Sequence, residues 1–129
     1  ITGVRIRRNY CAPGSRGMAL GNCSVAAVSD NQILGATSAA IVATASAPVV
    51  DLQILRNHIE TVGVAKAGVQ FSGTSTFART TIADNRILAA YAAIDVSGGA
   101  AVRYRNNTTT AALHESVAPV GGEIGTIAE

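Results

Sequence analysis

One pattern of apolar and polar positions occurs five times along the chain. Each copy has two mostly apolar positions separated by one residue, an asparagine three residues later, and a further mostly apolar position after that. The asparagines of successive copies are 22, 26, 28 and 22 residues apart. Such a period predicts a solenoid, in which each coil buries its apolar side chains against the neighbouring coils. The five copies occupy residues 4–11, 26–33, 52–59, 80–87 and 102–109.

A second, shorter run follows each copy and predicts a further strand in every coil. These runs are alternating and rich in small and β-branched residues, which favours strands over helices. The connecting segments differ in length and contain Pro and Gly, as at 12–15, 47–48 and 97–99. Variable loops on a constant frame of strands usually carry function, so we expect contacts with other molecules to be made there. The five runs occupy residues 17–20, 40–43, 68–71, 93–96 and 112–115.

Strand alternation sorts the repeat into inward and outward columns. It predicts three inward columns, which begin at Val4, Ile6 and Cys11 in the first copy. The asparagines fall at a corner between two strands. Asparagine tolerates left-handed and bridge conformations, and we expect its side-chain amide to hydrogen-bond to the same group one coil above and below. The ladder members are Asn9, Asn31, Asn57, Asn85 and Asn107.

Together these features predict an all-β fold, a right-handed parallel β-helix of about five coils with an asparagine ladder at one corner. A leucine-rich repeat is the alternative, because its strand segment shares part of the pattern. That fold would require leucine at most apolar positions and helical return segments, whereas the chain has only six leucines.

The repeats resemble those of the pectate-lyase-like superfamily over about residues 4–116. The resemblance rests on VSDNQI at 28–33, ILRNHI at 54–59, IADNRI at 82–87 and AIDVSG at 93–98. It implies the β-helix fold and leaves the activity open, because the superfamily includes polysaccharide lyases, polygalacturonases, alginate epimerases and bacteriophage tailspikes and fibres. The abundance of Ala, Thr, Val, Ser and Gly is most similar to that of the viral fibres.

Length, composition and charge limit the domain organisation and the kinds of partner that the chain can have. The 129 residues fit one domain, with coils over 1–116 and a tail over 117–129 that serves as a cap or an inter-subunit arm. A net charge of +2 without a basic block predicts no nucleic-acid partner. No apolar run approaches the ~20 residues of a membrane span. No metal-ligand spacing or phosphate loop occurs, so no metal and no cofactor is predicted.

Two further expectations concern the first coil. The chain begins inside a repeat, so we expect the first coil to stack on preceding sequence or on another chain. A disulfide between Cys11 and Cys23 is possible, but buried thiols fit better, since Cys11 shares its column with three isoleucines.

The residue before each asparagine forms an outward column of alternating charge: Arg8, Asp30, Arg56, Asp84 and Asn106. The simpler interpretation is a surface charge ladder of Arg8, Asp30, Arg56 and Asp84. A catalytic interpretation starts from Asp30 and Asp84, which lie two coils or ~9–10 Å apart, near the ~6.5–9.5 Å of inverting glycosidases. However, Arg56 between them would lower both pKa values, which is unsuitable for a general acid.

The next outward column is Tyr10, Gln32, His58, Arg86 and Thr108. Its aromatic, amide, imidazole and guanidinium groups suit sugar hydroxyls and carboxylates, and His58 is a third catalytic candidate because imidazole can act as a base near neutral pH. The candidate glycan-binding residues are Tyr10, Gln32, Arg56, His58 and Arg86.

We therefore hypothesise a structural and binding segment of a phage tailspike, fibre or similar appendage, located on the virion or outside the cell. Its expected partners are copies of itself in a homotrimer, or neighbouring virion subunits, and a polysaccharide. One alternative is a fragment of a polysaccharide lyase, glycoside hydrolase or epimerase. A second alternative is a secreted bacterial surface adhesin.

Overall fold

The computed structural model describes residues 1–12, 14, 16–62, 67–73, 77–89, 91–96, 100–110, 114–115 and 124–128. These residues form strands, turns and bends, and no helix. The chain winds into coils that each have three arms. Four complete turns separate Val4 from Val102, where a fifth coil begins. The predicted all-β parallel solenoid is confirmed.

Strands are numbered in chain order. The first arms are β1 (Arg5–Arg7), β4 (Ala27–Ser29), β8 (Gln53–Leu55), β11 (Phe77–Ala83) and β14 (Ala100–Thr109). The second arms are β2 (Tyr10–Cys11), β5 (Gln32–Ala36), β9 (His58–Thr61) and β12 (Arg86–Leu88). The third arms are β3 (Met18–Gly21), β6 (Ile41–Ala45), β10 (Ala67–Gly73), β13 (Ala92–Val96) and β15 (His114–Glu115). Two further strands are β7 (Val49–Val50) and β16 (Ile124–Ala128).

Every arm pairs in parallel with the equivalent arm of the next coil. The long strand β14 runs through the corner, so it joins the first and second arms into one 11-stranded sheet, while the third arms form a separate five-stranded sheet. The third arms are thus strands, and the leucine-rich-repeat alternative, which needed helices there, is wrong. Close approach between coils explains two glycines near the start of third arms, because a Cβ on Gly17, just before β3, or on Gly68, in β10, would lie 2.8 Å from a carbonyl oxygen of the next coil.

The core follows the predicted inward columns. Strand register stacks Ile6 on Val28, Val28 on Ile54, Ile54 on Ile82, and Ile82 on Tyr104. All except Ile6 have no solvent exposure, and Ile6 packs half-buried against the same core at the first coil. Because equivalent inward residues stack directly on one another, each coil buries its side chains on the coils above and below it.

A continuous asparagine ladder follows the corner between the first and second arms. Each side-chain Nδ2 donates to the Oδ1 of the next asparagine at 2.9–3.1 Å, from Asn9 through to Asn107. Asn57 illustrates the full pattern: its Nδ2 also donates to the Val28 carbonyl at 3.0 Å, while its Oδ1 accepts from the backbone N–H of Asn31 at 3.0 Å. One side chain therefore connects three coils, and the predicted ladder is confirmed.

Of the two conformations that asparagine tolerates at such a corner, the ladder asparagines do not adopt the left-handed one. The left-handed residue at each corner is the one before the asparagine, with φ between 50° and 57°. This residue turns the chain, and the turn points the following asparagine amide into the ladder. The five left-handed residues are Arg8, Asp30, Arg56, Asp84 and Asn106.

A second left-handed column precedes the first arms. It contains Gly3, Val25, Asp51 and Arg79, with φ of 73°, 50°, 57° and 53°. In the first four coils, two left-handed residues therefore lie on either side of the central residues of the first arm. Val25 is the unusual member, because a β-branched side chain is strained in this region. A third left-handed position, Gly35 at φ 71°, lies where the register of β5 and β9 shifts by one residue.

The predicted tail and loops are only partly described. Strand β16 lies parallel to β14, with Ile124 opposite Tyr104, where the next coil would lie. The predicted boundary at 116, tail residues 117–123 and 129, and loop residues 13, 15 and 97–99 lie outside the described residues.

Both thiols are free; Cys23 is buried, as predicted, and Cys11 is half-buried.

Replacing Asn57 with Ala tests the ladder. The change removes four hydrogen bonds and leaves the buried Asn31 N–H without its partner. We expect the free energy of unfolding to fall by about 3 kcal/mol, measured by urea denaturation. The matched control is Asn9→Ala at the exposed end of the ladder, which should cost less than about 1 kcal/mol. Equal losses for the two variants would contradict the ladder's role in stability.

Replacing Val25 with Asn tests the backbone strain. Asn adopts the left-handed conformation readily, so the variant should be more stable by about 1 kcal/mol. The matched control is Val62→Asn, at an exposed valine that has no positive φ, where no gain is expected. Thermal unfolding of both variants gives the comparison, and an unchanged or lower Tm for the Val25 variant would show that no strain is released.

Candidate functional site

The charged corner column contains one strong ion pair. Arg56 Nε lies 2.7 Å from Asp30 Oδ1, and Arg56 Nη2 lies 3.0 Å from Asp30 Oδ2, which is a bidentate arrangement. The carboxylate of Asp84, one coil further on, accepts instead from Asn106 Nδ2 at 3.2 Å. The column therefore ties neighbouring coils together through side chains that the sequence analysis also considered for catalysis.

The second-arm column is brought together as the spacing predicted. Register places Tyr10 beside Gln32, Gln32 beside His58, and His58 beside Arg86. Tyr10, Gln32 and Arg86 are exposed, whereas His58 is half-buried and its Nε2 is shielded from solvent. That ring nitrogen is therefore not presented to a ligand at the surface. Arg56 lies in the neighbouring corner column and is already occupied by Asp30.

A shallow trough along the outer face of the first arms was missed by the sequence analysis. Its floor is made by the two outward positions of each first arm, which lie between the two left-handed columns. Three surface depressions, of about 250, 210 and 180 Å³, lie along this face. The ten outward positions, in coil order, are Arg5 and Arg7, Ala27 and Ser29, Gln53 and Leu55, Thr81 and Ala83, and Arg103 and Arg105.

Each end of the trough carries a pair of arginines, and the middle is neutral. All four arginines are exposed, whereas the middle floor includes half-buried Ala27 and Ser29 and fully buried Ala83. The end pairs are four coils apart, about 19 Å at the spacing of paired strands. The ion pairs found among the described residues do not involve these four side chains.

Two ion pairs form the walls of the trough. One is Asp30–Arg56 in the corner column. The other is Asp51–Arg79 in the second left-handed column, where Arg79 Nε and Nη2 lie 2.7 and 2.8 Å from the two carboxylate oxygens of Asp51. The signal for this second pair was present in the sequence, since both residues directly precede the first inward position of their repeat.

The two ion pairs lower the pKa values of the aspartates that take part in them. The hydrogen bond from Arg56, with a further one from Ser29, holds the pKa of Asp30 below its ordinary value of 3.8. The hydrogen bond from Arg79 likewise lowers the pKa of Asp51. Both groups are exposed, so solvent weakens their effect on stability. A carboxyl with a lowered pKa is ionised at neutral pH and cannot donate a proton to a leaving group.

Parallel coils, a buried asparagine ladder and left-handed corners define the chain as a parallel β-helix. The family model described as right handed beta helix region matches residues 1–109, and the chain belongs to that family. Comparisons with curated proteins and with solved structures found no match. Within the described ranges, no helix is long and apolar enough to cross a membrane. The same residues contain no group of three or more His, Cys, Asp or Glu side chains that could hold a metal ion.

The Arg56→Gln variant tests the cause of the Asp30 shift. Losing the bidentate partner should raise the pKa of Asp30 toward 3.8, as followed by NMR of the side-chain carboxyl during acid titration. Because the folded pKa is lowered, the pair's stabilisation is fully present above the unfolded value and is lost as pH falls through the folded pKa. Arg86→Gln is the control and should leave Asp30 unchanged. An unaltered Asp30 titration in the Arg56 variant would contradict the assigned cause.

Proposed function

We propose that this chain is a structural and binding segment of a viral surface appendage, such as a phage tailspike or fibre, rather than an enzyme. The observation that carries the proposal is the use of the outward polar side chains at the corners. They bond from coil to coil through Asp30–Arg56, Asp51–Arg79 and Asn106–Asp84, and so stabilise the shaft itself.

The same contacts argue against catalysis by the candidate acids. A glycosidase needs one carboxyl with a raised pKa as the general acid. The Arg56 guanidinium instead lowers the pKa of Asp30 through its hydrogen bond. His58, the candidate base, has its Nε2 shielded from solvent. These groups suit a rigid polar frame better than proton transfer to a substrate.

Assembly into a homotrimer is part of the proposal. Large apolar side chains remain exposed on the shaft, including Tyr10, Val62 and Tyr91 with 64, 43 and 47% of their surface exposed. They offer apolar contact area to neighbouring copies or to other virion subunits. The location that accords with this role is the virion or another extracellular setting, where a glycan of the host surface would be the ligand.

Light scattering on the native chain tests the proposal. We expect a particle of three times the 13.1 kDa chain mass. In parallel, incubation with polysaccharides should leave their viscosity unchanged, because a shaft binds a polymer without cutting it.

A stable monomer would contradict the appendage assembly. A fall in viscosity that is lost in Asp30→Asn, Asp84→Asn or His58→Ala would establish the enzyme alternative instead. Circular dichroism of each variant separates loss of activity from loss of fold, and Glu60→Gln, beside His58 on the same strand, serves as the matched control.

A further inference from the structure

We propose that the outer face of the second arms is the surface through which copies of this chain associate, turned toward the axis of a parallel trimer. This inference rests on the proposed function and identifies the face that the assembly uses. It assigns Tyr10, Gln32, His58 and Arg86, which the sequence analysis considered for glycan binding, to a contact with another copy. The exposed apolar side chains and the position of two charges both point to this face.

The second-arm face consists of two outward columns. The first column contains the residues directly after the ladder asparagines, and the second column contains the residues two positions later. Strand register aligns the first column from coil to coil, and the second column follows it along each strand. The two columns are about 7 Å apart, because outward residues alternate along a strand. In coil order, the first column is Tyr10, Gln32, His58, Arg86 and Thr108, and the second column is Ala12, Leu34, Glu60, Leu88 and Thr110.

Exposed apolar side chains are concentrated on this face and at its edge. Among the described residues, Tyr10, Val62 and Tyr91 are three of the five large apolar side chains that are exposed. Tyr10 begins β2, Val62 directly follows β9, and Tyr91 lies in the turn after β12. Leu34 and Leu88 add two half-buried leucines to the second column. Apolar surface of this kind is typical of contacts between proteins.

The other two faces are less suited to contact between copies. The first-arm face carries the four exposed arginines of the trough, so two such faces would repel each other. On the third-arm face Val42 is already buried, and Gln70 donates a hydrogen bond to Asp95 within the chain at 3.2 Å. The described strands of that face contribute none of the exposed large apolar side chains.

A three-fold axis parallel to the β-helix brings the first column of one copy beside the second column of the next. Rotation about that axis does not move a residue along it, so residues of the same coil meet at the same height. Tyr10 of one copy then lies beside Ala12 of its neighbour and one coil from the neighbour's Leu34, which gives the exposed ring an apolar contact. Arg86 likewise lies one coil from the neighbour's Glu60.

The two charges of the face are complementary in this arrangement. Within one copy, Glu60 registers with Leu88 on one side and lies opposite the bulge of β5 on the other, whereas Arg86 registers with a histidine and a threonine. Between copies, Glu60 and Arg86 are one coil apart along the axis, ~4.8 Å. The Asp51–Arg79 pair crosses the same step within the chain at 2.7 Å, so an arginine on this frame can reach that far.

The size of the face favours a ring over a pair of copies. Five coils span about 24 Å along the axis and four strand residues span about 13 Å, so the flat face covers roughly 300 Å². A stable pairwise interface buries about 800 Å² on each partner. In a closed ring each copy contacts two neighbours, and Val62 and Tyr91 extend the contact beyond the flat face.

Exchange of the two charges tests the proposal, with the particle mass of the full chain measured by light scattering over a concentration series. Glu60→Arg and Arg86→Glu should each place like charges across every contact and raise the dissociation constant of the trimer at least about tenfold. The double variant Glu60→Arg with Arg86→Glu restores opposite charges and should recover the wild-type affinity to within a few-fold. Tyr10→Ser should also weaken the trimer, because it removes an apolar contact.

The matched controls are Arg103→Glu on the first-arm face and Thr44→Arg on the third-arm face, which change the charge at exposed positions elsewhere. Both should leave the particle mass unchanged, and circular dichroism should show that every variant keeps its fold. A wild-type particle that is not a trimer would overturn the assembly in the proposed function and this face with it. A wild-type trimer that resists the second-arm variants, or single variants that the double variant does not rescue, would overturn this face alone.

Discussion

The structure depends on satisfying the backbone polar groups where each coil turns from its first arm to its second. A corner interrupts the strand pairing, and buried groups left without partners there would be costly. Asn57 illustrates how the ladder asparagines supply these partners. Its Nδ2 donates to the Val28 carbonyl and to Asn85 Oδ1, and its Oδ1 accepts from the backbone N–H of Asn31. The ladder thereby sets the register in which Val28, Ile54 and Ile82 stack.

The same corners shape the outer surface. In the first four coils a left-handed residue lies on each side of the central part of the first arm, so two outward side chains per coil lie between two ridges. Aspartate and arginine at these left-handed positions accept some backbone strain, and they stand where equivalent residues of adjacent coils can pair, as Asp51 and Arg79 do. The trough is therefore a consequence of the corners, and its depth does not depend on long loops.

Most of the fold could be predicted because it repeats. The period, the inward columns and the asparagine ladder each rest on five copies of one local pattern, and local patterns are visible in a sequence. Residue preference does not predict the left-handed conformation at Arg8 or Arg56, because it follows from the turn that points the next asparagine into the ladder. The trough was missed because Arg5 and Arg105 are 100 residues apart in sequence and become related only when four coils are stacked.

Some arginines of this protein form ion pairs between coils and others remain exposed. The residue at the equivalent position of the neighbouring coil determines which of the two occurs. Arg56 and Arg79 each find a carboxylate at the equivalent position one coil away, and both become part of the frame. Among the described residues, Arg5, Arg7, Arg103 and Arg105 meet alanine, serine, threonine or glycine at that position, and they remain exposed. An aspartate in place of Ala27 or Thr81 could form an ion pair with the adjacent arginine, as Asp51 does with Arg79. The positive charge of that end of the trough would then be partly neutralised. Small neutral residues in the second and fourth coils therefore leave these arginines without an ion pair among the described residues.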